Sequence, residues 1–90
     1  MKNIFIENKK LIGEIARNYD CTLDVAKDRL KADLLSGGDS ETGGLIPQEV
    51  RRAAQEIGPE GIRKMNAEYF EHMKEVQAIG KPFDASEYSN

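Results

Sequence analysis

The only histidine in the chain, His72, stands between two carboxylates that could share a helix face with it. Glu68 is four residues before it and Glu75 is three residues after it, and residues at these spacings lie side by side on a helix. Imidazole and carboxylate groups are zinc ligands, but a structural zinc site needs about four of them. No second His or Cys motif completes the set, so we expect no metal site and no cofactor.

Cys21, the only cysteine, is a formal nucleophile that His72 could activate. Its neighbours Tyr19 and Leu23 are apolar, so we expect the thiol to pack and not to react. We therefore expect no enzymatic activity. The sequence also indicates no small-molecule substrate. A single cysteine cannot form an internal disulfide, which fits a reducing cytoplasm.

Residues 36–44, SGGDSETGG, contain four glycines and no apolar side chain. Glycine-rich loops can cradle phosphates, but this stretch lacks the GxxxxGK[ST] pattern and follows no hydrophobic strand. Its composition is typical of a flexible coil. We predict a mobile loop within one domain, because neither flank is large enough to hold a core alone.

Residues 11–35 predict two short helices joined by a tight turn, with Thr22 as the N-cap of the second. The stretch IARNYDCTLDVAKDRL resembles the run IAxxYGVSxxTVxxxL of bacterial helix-turn-helix regulators. Ala16 takes the close-packed position of the first helix, whereas Asp20 stands where the turn usually has glycine. The resemblance covers about twenty of the ninety residues and implies DNA binding through the second helix.

The charges on that second helix give DNA binding little support. Asp24 and Asp28 would face the phosphates and oppose the electrostatic attraction that supplies most non-specific affinity. We keep DNA binding as the alternative function and a hairpin that only packs as the simpler one. The candidate DNA contacts are Arg17, Thr22, Lys27, Arg29 and Lys31.

The longest predicted helix, residues 59–79, begins at Pro59 and is closed by Gly80. Its apolar residues, Ile62, Met65, Tyr69, Met73, Val76 and Ile79, step by three or four positions. Phe70 widens this stripe, and Tyr69 and Phe70 cannot both face one narrow core. We therefore expect one of the two to extend the apolar surface and to dock a partner.

The segment 81–90 has the composition of a disordered tail, yet it carries two aromatic side chains. We interpret the chain as a non-catalytic protein that binds another protein, as an adaptor or inhibitor, through its acidic C-terminal helix and tail. The predicted partner-binding residues are Glu68, Tyr69, Phe70, Glu71, Met73, Glu75, Phe83 and Tyr88.

These elements predict an all-α fold, a small bundle of about four helices with a flexible central loop and a short disordered tail. We place a helical hairpin at 9–35, a helix at 47–57 and the long helix at 59–79, all in a single domain, 1–90. The stretch Ile4–Ile6 is ambiguous, and we favour a helix that begins near Asn3 or Asn8.

Length and charge narrow the choice of partners. The net charge is −3, with seven basic and six acidic side chains in residues 1–35 but six basic and ten acidic in residues 36–90. The acidic C-terminal half disfavours phosphate backbones and membranes and suits a basic partner. No apolar run approaches the roughly 18 residues of a transmembrane helix. Ninety residues hold a marginal core, which leaves a homodimer open.

Overall fold

The computed structural model describes the backbone of residues 3–78 and the side chains of residues 3–74. In that range the chain forms four helices and no strand: α1 (Ile4–Glu7), α2 (Lys9–Tyr19), α3 (Leu23–Ser36) and α4 (Gln48–Ala78). The prediction of a small all-α bundle is confirmed. The predicted tail at 81–90 lies outside the described residues.

The ambiguous N-terminal stretch forms the short helix α1. Asn3 caps it, because its side-chain oxygen accepts hydrogen bonds from the backbone N–H groups of Phe5 and Ile6. The same side chain donates to the carbonyl oxygen of Met65 in α4 at 2.7 Å. Asn8 then separates α1 from α2, so both asparagines stand at a helix start, and Phe5 is carried into the core.

The turn between α2 and α3 is tight. Asp20 ends α2 in the left-handed conformation (φ 51°, ψ 51°), which Asp tolerates better than most residues. Thr22 caps α3, because its hydroxyl oxygen accepts a hydrogen bond from the N–H of Val25 at 3.2 Å. The resulting hairpin holds Ile12 and Leu30 in the core, where neither is exposed.

The glycine-rich loop after α3 is tied down at its centre. Gly37 caps α3 with φ 78°, and the chain then returns so that Thr42 is completely buried. The Thr42 hydroxyl donates to a carboxylate oxygen of Asp33 at 2.6 Å, and the N–H of Glu41 donates to the other oxygen at 3.3 Å. Mobility of residues 36–44 as a whole stays a prediction, and Thr42 is the point at which the loop is anchored.

Helix α4 contains a break at Gly58, which has φ 82° and ψ 164° and is followed by Pro59. The break divides α4 into a first segment, residues 48–57, and a second segment, residues 59–78. It lies between the two helices that the sequence places at 47–57 and 59–79. The helix begins one residue after Pro47, whose carbonyl oxygen accepts from the N–H of Arg51.

The second segment of α4 packs against α1 and α3. The rings of Phe5 and Tyr69 meet with centroids 6.2 Å apart and planes inclined by 60°, a tilted arrangement that aromatic pairs favour. Ile62 is also buried there. Each fully buried side chain of this size contributes about 1.5–3 kcal/mol relative to exposure, so this face of α4 is fixed by the core.

Candidate protein-binding surface

Tyr69 and Phe70 are adjacent in sequence but lie in opposite environments. Tyr69 is 3% exposed and contacts Phe5, whereas Phe70 is 54% exposed. Successive helical residues point about 100° apart, so a narrow core can accept only one of the two. Tyr69 must therefore be moved from the predicted partner-binding set to the core, and Phe70 is the residue that extends the apolar surface.

Phe70 lies in an open cleft of about 280 Å³ between the start of α3 and the second segment of α4. We call this the Phe70 cleft; its lining residues are Asp24, Lys27, Tyr69, Phe70, Met73 and Lys74. Lys27 holds the two walls together, because its ammonium group donates to the side-chain oxygen of Asn66 at 2.7 Å. The cleft is thus built by packing between two helices and not by a loop.

Charged groups stand on both sides of the Phe70 ring. The ammonium nitrogen of Lys74 is 5.0 Å from the ring centroid and 3.8 Å from a carboxylate oxygen of Glu71. Asp24, on the opposite wall, is exposed. The cleft therefore offers an apolar floor with one acidic and one basic rim.

The predicted acidic residues do not form one face with Phe70. Glu68 is two residues before Phe70, which places it about 200° around the helix, on the far side. Glu71 is exposed beside Lys74, and Met73 lines the cleft. The side chain of Glu75 lies outside the described residues, as do Phe83 and Tyr88. Among the described candidates, Phe70 and Met73 both line the cleft, whereas Glu68 and Glu71 do not.

The candidate DNA contacts are also dispersed. Lys27, expected on the exposed face of α3, is only 7% exposed and pairs with Asp28 at 2.8 Å, which corrects that expectation. Its aliphatic stem is covered by the protein while its ammonium group finds polar partners. Thr22 uses its hydroxyl as the helix cap, and Lys31 is half-buried. Arg17, on α2, is the one basic candidate in the exposed class.

The central loop contacts Arg29, the arginine of α3. The guanidinium of Arg29 lies 4.3 Å from the centroid of the Tyr19 ring and donates to the backbone oxygen of Glu41 at 3.1 Å. A carboxylate oxygen of Glu41 is 3.3 Å from the same guanidinium. The backbone of Gly43 packs on the Tyr19 hydroxyl so closely that an added Cβ would approach it to 2.7 Å. Arg29 therefore stabilises the loop in this structure.

The buried pair of Asp33 and Thr42 was missed by the sequence analysis. Asp33 lies on the same face of α3 as Ala26 and Leu30, at spacings of seven and three residues. A carboxylate on an apolar stripe could have indicated this pair, because a buried carboxylate must be hydrogen-bonded to a partner. The partner was not apparent, since Thr42 lies in a stretch whose composition resembles a flexible coil.

The residues considered for catalysis and metal binding stand on different elements: Cys21 lies in the turn between α2 and α3, and Glu68 and His72 lie on the second segment of α4. Cys21 and His72 are each half-buried, and the thiol is free. Among the side chains that the structure describes, no group of three His, Cys, Asp or Glu residues could hold a metal ion. Across the described helices, none is long and apolar enough to cross a membrane.

Comparison with protein-family models, with curated proteins and with solved structures finds no match for this chain.

Proposed function

We propose that this chain acts without catalysis by binding another protein, as an adaptor or an inhibitor, through the Phe70 cleft and the tail that follows α4. The proposed site of action is the cytoplasm, where a lone half-buried thiol such as Cys21 stays reduced.

The exposure of Phe70 is the observation that carries this proposal. Its neighbour Tyr69 is buried in the core, whereas more than half of the Phe70 side chain is left in solvent. Covering the exposed half of the ring would contribute about 1–2 kcal/mol to binding. Aromatic residues that enter a partner's pocket are also those that carry most interface energy.

The helix-turn-helix alternative has less support. Lys27 and Arg29 are both engaged within the protein, and the exposed positions at the start of α3 include Asp24 and Asp28. The other two basic candidates are Lys31, which is half-buried, and Arg17, which is exposed. Two such contacts would give weak binding with a shallow dependence on salt.

A pull-down of the tagged protein from host lysate, with and without nuclease, tests the proposal. Wild type is compared with Phe70→Asp and with Val25→Asp, which places the same charge at a second exposed apolar side chain, 45% exposed and outside the cleft. We expect a stoichiometric protein that survives nuclease, is lost with Phe70→Asp and is kept with Val25→Asp. Equal capture by all three proteins would contradict the proposed surface, and capture that depends on nucleic acid would favour the DNA-binding alternative.

A further inference from the structure

We propose that residues 39–43 form a strap that closes over α2 and α3 and opens from them as one unit, and that its opening releases the guanidinium of Arg29. This goes beyond the proposed function, because it concerns a movement of the central loop and not the Phe70 cleft. In the closed state the guanidinium is turned to the strap, and in the open state it is free to bind a group outside the chain.

The strap is a compact turn with a glycine on each side. The backbone N–H groups of Thr42 and Gly43 both donate to the carbonyl oxygen of Asp39, at 3.3 and 2.8 Å. A single turn is not stable by itself in water, so these bonds depend on the contacts that hold the strap against the helices. Gly37 and Gly44, on either side, have φ 78° and 76°, and glycine takes up such backbone rotations without steric cost.

The contact with α3 favours a strap that is fully closed or fully open. Asp33 is 1% exposed, and its carboxylate accepts from the Thr42 hydroxyl at 2.6 Å and from the N–H of Glu41 at 3.3 Å. Both donors belong to the strap, so a partly lifted strap would leave a buried carboxylate without donors, which is costly. An open crevice of about 80 Å³, lined in part by Asp33 and Gly37, gives water a path to the carboxylate once the strap lifts.

The same strap holds the guanidinium of Arg29. It accepts from Arg29 through the backbone oxygen of Glu41 at 3.1 Å and places the Glu41 carboxylate 3.3 Å away, where the acidic group of a ligand would bind. The Nε atom of Arg29 is buried and has no hydrogen-bond partner within the described residues. This unsatisfied donor offsets part of what the other contacts contribute, and opening the strap lets water reach it.

Amide hydrogen exchange of the full chain, measured by NMR at increasing urea below the unfolding transition, tests the inference. The reporters are the N–H groups of Glu41, Gly43 and Leu45, which all donate to acceptors that depend on the closed strap. We expect one shared protection factor for these three, at least about tenfold below that of Leu30 in the core of α3. Their exchange should depend little on urea, because a local opening exposes little surface.

Two substitutions, one at each contact of the strap, test whether it opens as one unit. Thr42→Val removes the hydroxyl donor to Asp33, and Arg29→Met removes the guanidinium that holds Glu41. We expect each to lower the protection of the three reporter amides by one common factor, about tenfold for Thr42→Val. Thr42→Val should also speed the exchange of the Arg29 Nε–H by that factor. Ser40→Ala, at an exposed position of the strap, is the control and should change none of these signals.

Three outcomes contradict the inference. Equal protection and equal urea dependence at Leu30 and at the strap would show that the strap opens only when the helices unfold. Unequal factors among the three reporter amides in Arg29→Met would indicate separate local openings. An Arg29 Nε–H unaffected by Thr42→Val would show that opening does not release the guanidinium.

Discussion

Helix α3 and the second segment of α4 use their side chains in opposite ways. In α3, the charged residues Lys27, Arg29 and Asp33 all make contacts within the protein. In the second segment of α4, the aromatic Phe70 points away from the core. One helix turns charges inward and the other turns an apolar ring outward.

The difference shows which residues folding explains. A buried charge is tolerated when hydrogen bonds satisfy it, and Lys27 and Asp33 each have such partners. The exposed part of an aromatic ring contributes little to the free energy of folding. The presence of an aromatic residue at position 70 therefore needs another explanation. The polar residues Lys27, Arg29 and Asp33 of α3 therefore serve the structure, and a role of Phe70 in binding is what we propose.

The largest expected effect comes from Tyr69→Asp, which places a charge in the core against Phe5. Loss of a buried aromatic side chain costs about 3–5 kcal/mol, and an unpaired charge adds to that cost. For a chain of this size we expect a largely unfolded protein, measured by circular dichroism at 222 nm. A folded Tyr69→Asp variant would show that this ring is not part of the core.

Thr42→Val should have the next largest effect. The change keeps the shape of the side chain but leaves one oxygen of the buried Asp33 carboxylate without its donor. We expect a loss of about 1.5–3 kcal/mol in the free energy of unfolding, measured in urea, and faster amide exchange at Thr42. Ser40→Ala, at an exposed position of the same loop, is the control and should change neither quantity. Equal results for the two variants would mean that the loop is not anchored through Asp33.

Gly58→Ala should cost about 1–3 kcal/mol, because φ 82° with ψ 164° is a conformation that essentially only glycine adopts. Gly37→Ala is the matched control, since it has φ 78° and ψ 6° in the ordinary left-handed region and should cost less. An added Cβ would meet nothing within 4 Å at either position, so only the backbone differs. A Gly58→Ala variant as stable as wild type would indicate that α4 has no break.

The sequence identified most helix ends because single residues determine them. Thr22, Gly37 and Gly58 act through local hydrogen bonds and backbone angles that depend little on the rest of the fold. The inward turn of Lys27 and the burial of Asp33 depend on partners 39 and 9 residues away, which periodicity does not reveal.

Part of the candidate surface could also be anticipated. The stripe containing Met65 and Tyr69 shows that only one of Tyr69 and Phe70 can be buried, but the choice depends on how α4 rotates against Phe5 in α1. The spacing of Ile62, Met65 and Tyr69 favours Tyr69, but nothing in the sequence identifies Phe5 as the ring against which it packs. The wall of the cleft at Asp24 depends in turn on the contact between Lys27 and α4.

The smallest expected effect on stability is that of Phe70→Asp. Its side chain is 54% exposed, so we expect the free energy of unfolding to fall by at most about 1 kcal/mol, the contribution of the part that the protein already covers. We expect a similarly small change in the free energy of unfolding for Val25→Asp. Urea unfolding of both variants beside wild type checks this, and a loss comparable to that of Thr42→Val would assign Phe70 to the core.

The most direct test of the central claim is the affinity of the captured partner for wild type, Phe70→Asp and Val25→Asp, by titration calorimetry at equal folded fractions. We predict at least a tenfold loss of affinity for Phe70→Asp, equivalent to about 1.4 kcal/mol, and an unchanged affinity for Val25→Asp. Equal affinity of the folded Phe70→Asp variant and wild type would contradict the assignment of Phe70 to binding.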